Sequence, residues 1–478
     1  MSLKQKAIKG FAWSLADKLV NQLGYLLVTI FLARIIGPES FGLIGMLTIF
    51  MLLAESVISN GFSAALVQRS NQVTPEDEST VFYINMAWGV AMYILLYFSA
   101  PFIADFYKAP QLIDISRLLF VVIIINSLVV VVRAKLTINI DFKSQTIAST
   151  IATLLSAVVG VYLAQLGYDY WAFVWMLVIK SALNALLIWL LCRWLPQFIF
   201  SVESFKRLFK FGSNLMIAGF VATFVNNLYI ALIGRYFNAT QVGYFTQANN
   251  LSNNLYLMLS STLQGVTYPI LTSIKDERER LVSIYKQLIS ITLLVSLPLL
   301  VGLAAVSDEV VLLFLGEEWL SVAPVLSILC FARAITPISA INMNILNAIG
   351  RSDLFLKVDL SKLPMTLAAL LISVPYGIEA VAWAMVATSA IAFFINAYFP
   401  GKLFGFGSWP QLKAAIKYII AAVIMYVVVK WLQLETVLWL VLAAKIFLGL
   451  LLYPLLLVIM RDRFVMQYVN LLISKVRF

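Results

Sequence analysis

The sequence predicts an all-α polytopic membrane protein of about fourteen transmembrane helices. Two six-helix lobes are expected, related by a pseudo-two-fold axis along the membrane normal, with two further helices at the C-terminus. Three observations lead there. Hydrophobic residues make up 62% and charged residues 12% of the 478 residues, far from a soluble average. Apolar runs of bilayer-spanning length follow one another with only short polar turns between them, so no sizeable soluble domain fits. Finally, the chain repeats itself. Lys9, Arg34 and Gly42 recur 201 residues later as Lys210, Arg235 and Gly243, and Leu32-Ala33-Arg34-Ile35-Ile36 returns as Ile233-Gly234-Arg235-Tyr236-Phe237. Further along the offset becomes 210, where Gly167, Ala172 and Ala182 match Gly377, Ala382 and Ala392.

In order, the runs lie near 11–35, 42–67, 80–104, 112–132, 145–166, 170–194, 211–234, 242–270, 284–306, 320–348, 356–375, 378–399, 413–432 and 435–459. The first follows a basic start, Met1 to Lys9, and at about 25 residues exceeds a secretory signal core, so it reads as a retained helix. Runs one to six and seven to twelve form the two repeats. Each has an even number of spans, so both enter the bilayer from the same side, which requires an axis along the membrane normal. The expected organisation is an N-lobe over 1–200, a linker over 201–211, a C-lobe over 212–400, and two helices with a tail over 401–478. In the linker, Phe205, Leu208 and Phe209 share one face and Lys206, Arg207 and Lys210 lie elsewhere. That pattern suits a short amphipathic helix in the membrane interface; a plain basic loop is the alternative. The slip from 201 to 210 places extra residues around Asp308, Glu309, Glu317 and Glu318, an acidic outer loop.

The net charge of +11 raises the question of nucleic acid, but its distribution answers it. With the N-terminus in the cytoplasm, most Lys and Arg fall on the inner side, among them Lys4, Lys6, Arg133, Lys143, Lys206, Arg207, Arg278, Lys357, Lys402 and Arg461. Only Arg34, Lys108, Arg117, Arg235 and Lys430 fall outside. This bias orients a membrane protein, places both termini in the cytoplasm and needs no nucleic-acid partner. Cys192 and Cys330 both lie inside runs and read as packing residues, not a disulfide.

Charged residues within the runs are Asp17, Lys18, Glu55, Lys180, Arg333 and Lys445. Each costs roughly 2.5–3.5 kcal/mol at a bilayer centre, so each is a functional candidate by default. Lys180 and Arg333 sit about ten and thirteen residues into their runs, near mid-depth at 1.5 Å per residue and too deep to snorkel easily. They are one per lobe. Together they suit a diphosphate, Arg333 as a planar fork and Lys180 as a point charge; an internal pair such as Lys180 with Glu55 is the alternative. Asp17 and Asn21 share a face, as do Lys18 and Gln22. Asp17, Lys18 and Glu55 are read as coupling or counter-ion residues.

Polar stripes accompany these charges. Glu55, Ser59 and Ser63 are four apart, and 201 residues on they become Tyr256, Ser260 and Gln264, a stripe continuing backward through Asn253, Asn250 and Thr246. Such a wall suits sugar hydroxyls, although amide stripes also join helices. Ser59, Ser63, Asn250, Asn253, Ser260 and Gln264 are the candidate cavity lining.

There is no histidine, no phosphate-binding G-x-x-x-x-G-K-[ST] loop and no Cys or Asp/Glu cluster with metal-ligand spacing. The chain is therefore read as a non-enzyme without cofactor or metal.

Several motifs carry a family resemblance. Lys9-Gly10-Phe11-Ala12-Trp13-Ser14, the Leu32-Ala33-Arg34 to Gly37-Pro38-Glu39-Ser40-Phe41-Gly42 turn, and Ala64-Ala65-Leu66-Val67-Gln68-Arg69 resemble the polysaccharide transporter family. So do Phe209-Lys210-Phe211-Gly212-Ser213 and Gly316-Glu317-Glu318-Trp319. Wzx-type flippases of the colanic-acid and teichuronic-acid kind are the relatives this suggests. The resemblance implies the multidrug/oligosaccharidyl-lipid/polysaccharide exporter fold, two six-helix lobes in a V around a basic cavity. It further implies flipping of an undecaprenyl-pyrophosphate-linked oligosaccharide across the bacterial inner membrane by alternating access. Lys180 and Arg333 match the basic cavity by chemistry and depth, not by an aligned motif. The expected partners are that lipid-linked oligosaccharide, membrane lipid, a coupling ion (H+ or Na+) and a polysaccharide polymerase or chain-length complex. The alternatives are a drug/cation antiporter of the same superfamily and a non-transporting scaffold of a polysaccharide assembly complex.

Overall fold

The computed structural model describes residues 3–59, 62–68, 73–462 and 464–466. Among these the regular elements are helices, and packing divides the chain into two compact units, residues 1–243 and 244–478.

The first unit opens with α1 (Leu3–Ser59), which contains a break at Gly37 (φ 73°, ψ 172°) ahead of Pro38. The runs near 11–35 and 42–67 are thus two helices joined at a turn that proline's missing N–H and glycine's conformational freedom make cheap. Next come α2 (Phe62–Gln68), α3 (Pro75–Tyr107), α4 (Leu112–Leu119) and α5 (Val121–Ile138). The start of α3 is written in sequence: Thr74 accepts from the Asp77 N–H, Asp77 answers on the Thr74 N–H, and Pro75 occupies the first turn. After α6 (Phe142–Gln165) and α7 (Asp169–Cys192) the unit ends with α8 (Val202–Tyr236). Helix α1 packs on α6, α7 and α8, and α5 packs on α3 and α7.

Segment 201–211 is helical and runs straight on as the first turns of α8. Its apolar face is covered by protein: Leu208 is buried with Phe62, Leu66, Val81 and Val131, and Phe205 and Phe209 pack beside it. Arg207 then reaches Asp77 at 2.6 Å. Because α8 lies along α1, α2 and α3, the compact unit extends past the expected lobe boundary.

Two glycines permit an unusually close approach. A Cβ added to Gly42 would lie 1.7 Å from the Ala239 carbonyl oxygen, and one added to Gly243 would lie 2.0 Å from that of Pro38. Gly243 and Ala239 stand 201 residues after Gly42 and Pro38, so the contact is reciprocal.

The second unit takes most of α9 (Ala239–Ser273), then α10 (Arg278–Ala305), α11 (Ser307–Phe314), α12 (Val322–Ala334) and α13 (Thr336–Ala348). It continues with α14 (Ser352–Ser373), α15 (Ile378–Phe404), α16 (Ser408–Trp431) and α17 (Leu438–Ile459). Helix α10 is central, packing on α12, α13 and α16, while α17 packs on α16 and α11. Within this core Tyr285, Asn342 and Gln411 form a closed polar network. Gln411 Nε2 also donates to the Phe406 carbonyl at 2.9 Å. All three side chains are buried, and their mutual satisfaction fixes α16 to α10 and α13 in one register.

Ten helical stretches among the described residues are long and apolar enough to cross a membrane, with α4–α5 and α12–α13 each counting as one stretch. Helices α8, α9 and α14 are not among them, and the two expected runs on α1 count as one stretch, Leu26–Ile58. The run of α9 carries Gln247, Asn249, Asn250, Asn253 and Asn254, and that of α14 carries Lys357, Asp359 and Lys362.

Candidate substrate site

In the first unit the site is built on three helices. Glu55 comes from α1, Asn126 from α5 and Ser181 from α7. Ser181 Oγ donates to Asn126 Oδ1 at 2.7 Å, and Asn126 Nδ2 donates to Glu55 Oε1 at 3.0 Å. The amide is thereby fixed in one orientation, its acceptor used by the hydroxyl and its donor by the carboxyl. A small cleft of about 80 Å³ opens beside this chain, lined by Glu55, Asn126, Ser63, Arg133 and apolar side chains of α1 and α5. Arg133 attracts Glu55 electrostatically across it. Glu55 lies on α1 and Ser63 on α2, the described stretches on either side of residues 60–61, and both line the same cleft. Lys180 is half-buried on α7, one residue before Ser181.

In the second unit, Arg333 on α12 is held by one face of α9. Its Nε donates to Ser252 Oγ at 3.1 Å, Nη1 to Asn253 Oδ1 at 2.8 Å and Nη2 to Asn249 Oδ1 at 2.5 Å. The Tyr256 ring lies under the guanidinium, 5.8 Å from centroid to Cζ. These three acceptors are neutral amide and hydroxyl oxygens, and they orient the fork. Residues 249, 252, 253 and 256 follow the i, i+3, i+4, i+7 spacing of a single helical stripe, which is why α9 can grip one side chain from four positions. Asn250 is half-buried on the adjoining face, and Ser260 is buried nearly three turns on. Further along α9, Thr267 accepts from Asn344 of α13 at 3.3 Å. The side chains of Asp17, Lys18, Ser59 and Gln264 lie outside the described residues.

Sequence reasoning missed four members of these clusters: Asn126, Ser181, Asn249 and Ser252. The last two carry a signal, because 249-252-253-256 is a stripe in its own right beside the one through Asn250 and Ser260. Asn126 and Ser181 carry none, being isolated polar residues in apolar runs.

Lys445 of α17 has a structural partner. Its ammonium meets Glu309 Oε1 of α11 at 2.5 Å, with the two side chains 5% and 14% exposed. Lys430 of α16 meets the adjacent Asp308. Asp308 and Glu309 therefore each pair with one cation, Lys430 of α16 and Lys445 of α17. Removing one partner of a buried pair costs far more than the pair itself contributes. Glu309→Gln is expected to lower stability by about 3–5 kcal/mol, whereas leucine at both 309 and 445 should leave it within about 1 kcal/mol of the native protein. Thermal unfolding of purified protein checks this, and equal melting of native and Glu309→Gln protein would refute it.

The sequence profile of the family described as "Polysaccharide biosynthesis protein" matches residues 31–324. The chain belongs to that family. Two relatives of this family member are named for exopolymers. Teichuronic acid biosynthesis protein TuaB of Bacillus subtilis is 28% identical over 349 residues, 72% of this chain and 71% of its own. Succinoglycan biosynthesis transport protein ExoT of Rhizobium meliloti is 27% identical over 337 residues, 69% and 67% of the two chains. Among solved structures, lipid II flippase MurJ in an inward closed conformation superposes with a TM-score of 0.77 over 95% of this chain and 99% of its own, at 16% identity. The family resemblance is thus borne out, and the chain shares the fold of lipid II flippase MurJ.

Proposed function

We infer that this protein is a flippase moving undecaprenyl-pyrophosphate-linked oligosaccharide repeat units across the bacterial inner membrane by alternating access, for surface polysaccharide synthesis. Family membership, two relatives named for exopolymer synthesis and a shared fold with a lipid II flippase support the reading. The observation that carries it is Arg333, a guanidinium deep in an apolar helix, pre-oriented by four α9 side chains whose neutral acceptors an anionic oxygen can displace. Arg333 and Lys180 are assigned to the pyrophosphate. Asn250, Asn253, Ser260, Gln264, Ser59 and Ser63 are assigned to the sugar. Glu55, with Asp17 and Lys18, supplies a coupling or counter-ion site for H+ or Na+.

The full architecture proposed is fourteen spans in two lobes, 1–200 and 212–400, with 201–211 between them, 401–478 appended and both termini in the cytoplasm. The protein acts without a cofactor and is not itself an enzyme; a polymerase or chain-length complex would receive its product.

The test is made in cells lacking the protein. Carrier-linked repeat units should accumulate and surface polymer disappear, both reversed by re-expression. Normal intermediates with altered drug sensitivity would favour a drug/cation antiporter. In the same cells Glu55→Gln separates two roles: transport that no longer responds to the ion gradient marks coupling, and an unchanged response leaves Glu55 as a counter-charge.

A further inference from the structure

We propose that a cleft at the N-terminal end of α10 binds the phosphate-bearing headgroup of an anionic membrane phospholipid. The cleft has a volume of about 810 Å³. Its walls carry two cations, Arg278 and Lys286, and three neutral hydrogen-bonding side chains, Ser283, Gln287 and Ser290. Phe464, from the turn that follows α17, forms another part of the wall. A guanidinium, an ammonium and hydroxyls converging in one hollow are the groups that a phosphodiester takes up.

Both cations are positioned by neutral partners. Arg278 Nη2 donates to the Leu403 carbonyl, one of the last of α15, at 2.9 Å. The Lys286 ammonium lies 5.3 Å from the centre of the Phe406 ring. Neither contact cancels a charge. The acid on the wall is Glu279, whose helical turn it shares with Arg278. The nearby Asp462 accepts from the Phe464 and Val465 N–H groups, which positions the Phe464 backbone.

The chemistry changes along α10 as a lipid's does. Gln287, Ile291, Val295 and Leu299 are four residues apart and so share a face. Ile291, Val295 and Leu299 are exposed to 40%, 39% and 41%. From Gln287 to Leu299 the rise is about 18 Å, a little over one leaflet of a ~30 Å hydrocarbon core. An acyl chain lying on this stripe puts its glycerophosphate in the cleft. This end of α10 is also the end that the Lys/Arg bias assigns to the cytoplasm, where anionic lipid gives each basic residue about 1 kcal/mol, or roughly fivefold. A soluble phosphate would match the cations but leave the stripe unused.

The site does not rest on the transport reading, and its test measures binding alone. Delipidated full-length protein is titrated with phosphatidylglycerol, and bound lipid is counted by native mass spectrometry. Lys286→Gln should weaken binding about fivefold and Arg278→Gln with Lys286→Gln further. Lys357→Gln, an exposed cation elsewhere, should leave it unchanged, and phosphatidylcholine should not compete. Lys286 makes its described contact with a ring face, so the single variant retains the fold if Arg278 proves structural. Equal binding by native protein and Lys286→Gln, or equal loss in Lys357→Gln, overturns the site. Displacement of the lipid by millimolar inorganic phosphate or pyrophosphate overturns the lipid as its ligand.

Discussion

Replacing Arg333 by alanine lowers export flux at least about 30-fold, while the protein still reaches the membrane at its normal level. Charge-assisted hydrogen bonds contribute about 1.5–3 kcal/mol each, and truncating one partner of a buried charged contact costs about 2–5 kcal/mol, so a roughly thirtyfold loss is the low end. Arg333→Lys separates charge from shape. An ammonium retains the charge but cannot engage Asn249, Ser252 and Asn253 together, because it lacks the planar fork that meets all three. Export by Arg333→Lys should therefore fall between native and alanine. The readout is surface polymer against accumulated lipid-linked repeat units, normalised to membrane protein. Full export by Arg333→Ala removes the residue from the site; equal loss in lysine and alanine variants shows that geometry, not charge, is what counts.

The second large effect is expected at Gly42. A methyl group there has no space, since its carbon would sit 1.7 Å from a backbone oxygen that cannot rotate away. Gly42→Ala must push α1 from the start of α9, and overpacking of this kind costs about 1–3 kcal/mol. If the contact forms during transport, flux drops by about 5- to 150-fold. Gly243→Ala should do the same, because its Cβ meets the Pro38 oxygen in the mirrored arrangement. The double variant should be little worse than either single one, as each already separates the same pair of backbones. Export is compared at matched expression. Native export by both single variants would show that the close approach is dispensable.

Both predictions rest on features that were unequally visible in the sequence. Gly42 and Gly243 stood out as a pair at an offset of 201, and Gly167 and Gly377 as a pair at 210. The latter share a positive φ of 82° and 109° at turns ahead of α7 and α15, so the repeat preserves backbone geometry along with hydropathy. That the first pair meets could not be read, because an offset says which residues correspond and nothing about which touch. The helices followed directly from apolar runs, and the Thr74–Asp77 capping box marks the start of α3 in four letters. The break of α1 at Gly37 was legible from Gly-Pro. The polar clusters were less so. Periodicity finds groups that share a helix face, as with Asn253 and Tyr256, but the Ser181–Asn126–Glu55 chain joins three helices through single residues 55 and 71 positions apart. Lys445 reads as an isolated buried charge until Glu309, 136 residues earlier, is found beside it.

That last pair bears on how the protein is made. A lysine near the middle of α17 is a poor substrate for membrane insertion on its own, at roughly 2.5–3.5 kcal/mol on translocon scales. Synthesis runs from the N-terminus, so α11 and its Glu309 are already in place when α17 emerges from the ribosome. The carboxylate waits for the ammonium. Helices α16 and α17 grafted onto a carrier lacking Asp308 and Glu309 would meet the bilayer with two uncompensated cations, and quality-control proteases would be the first to notice.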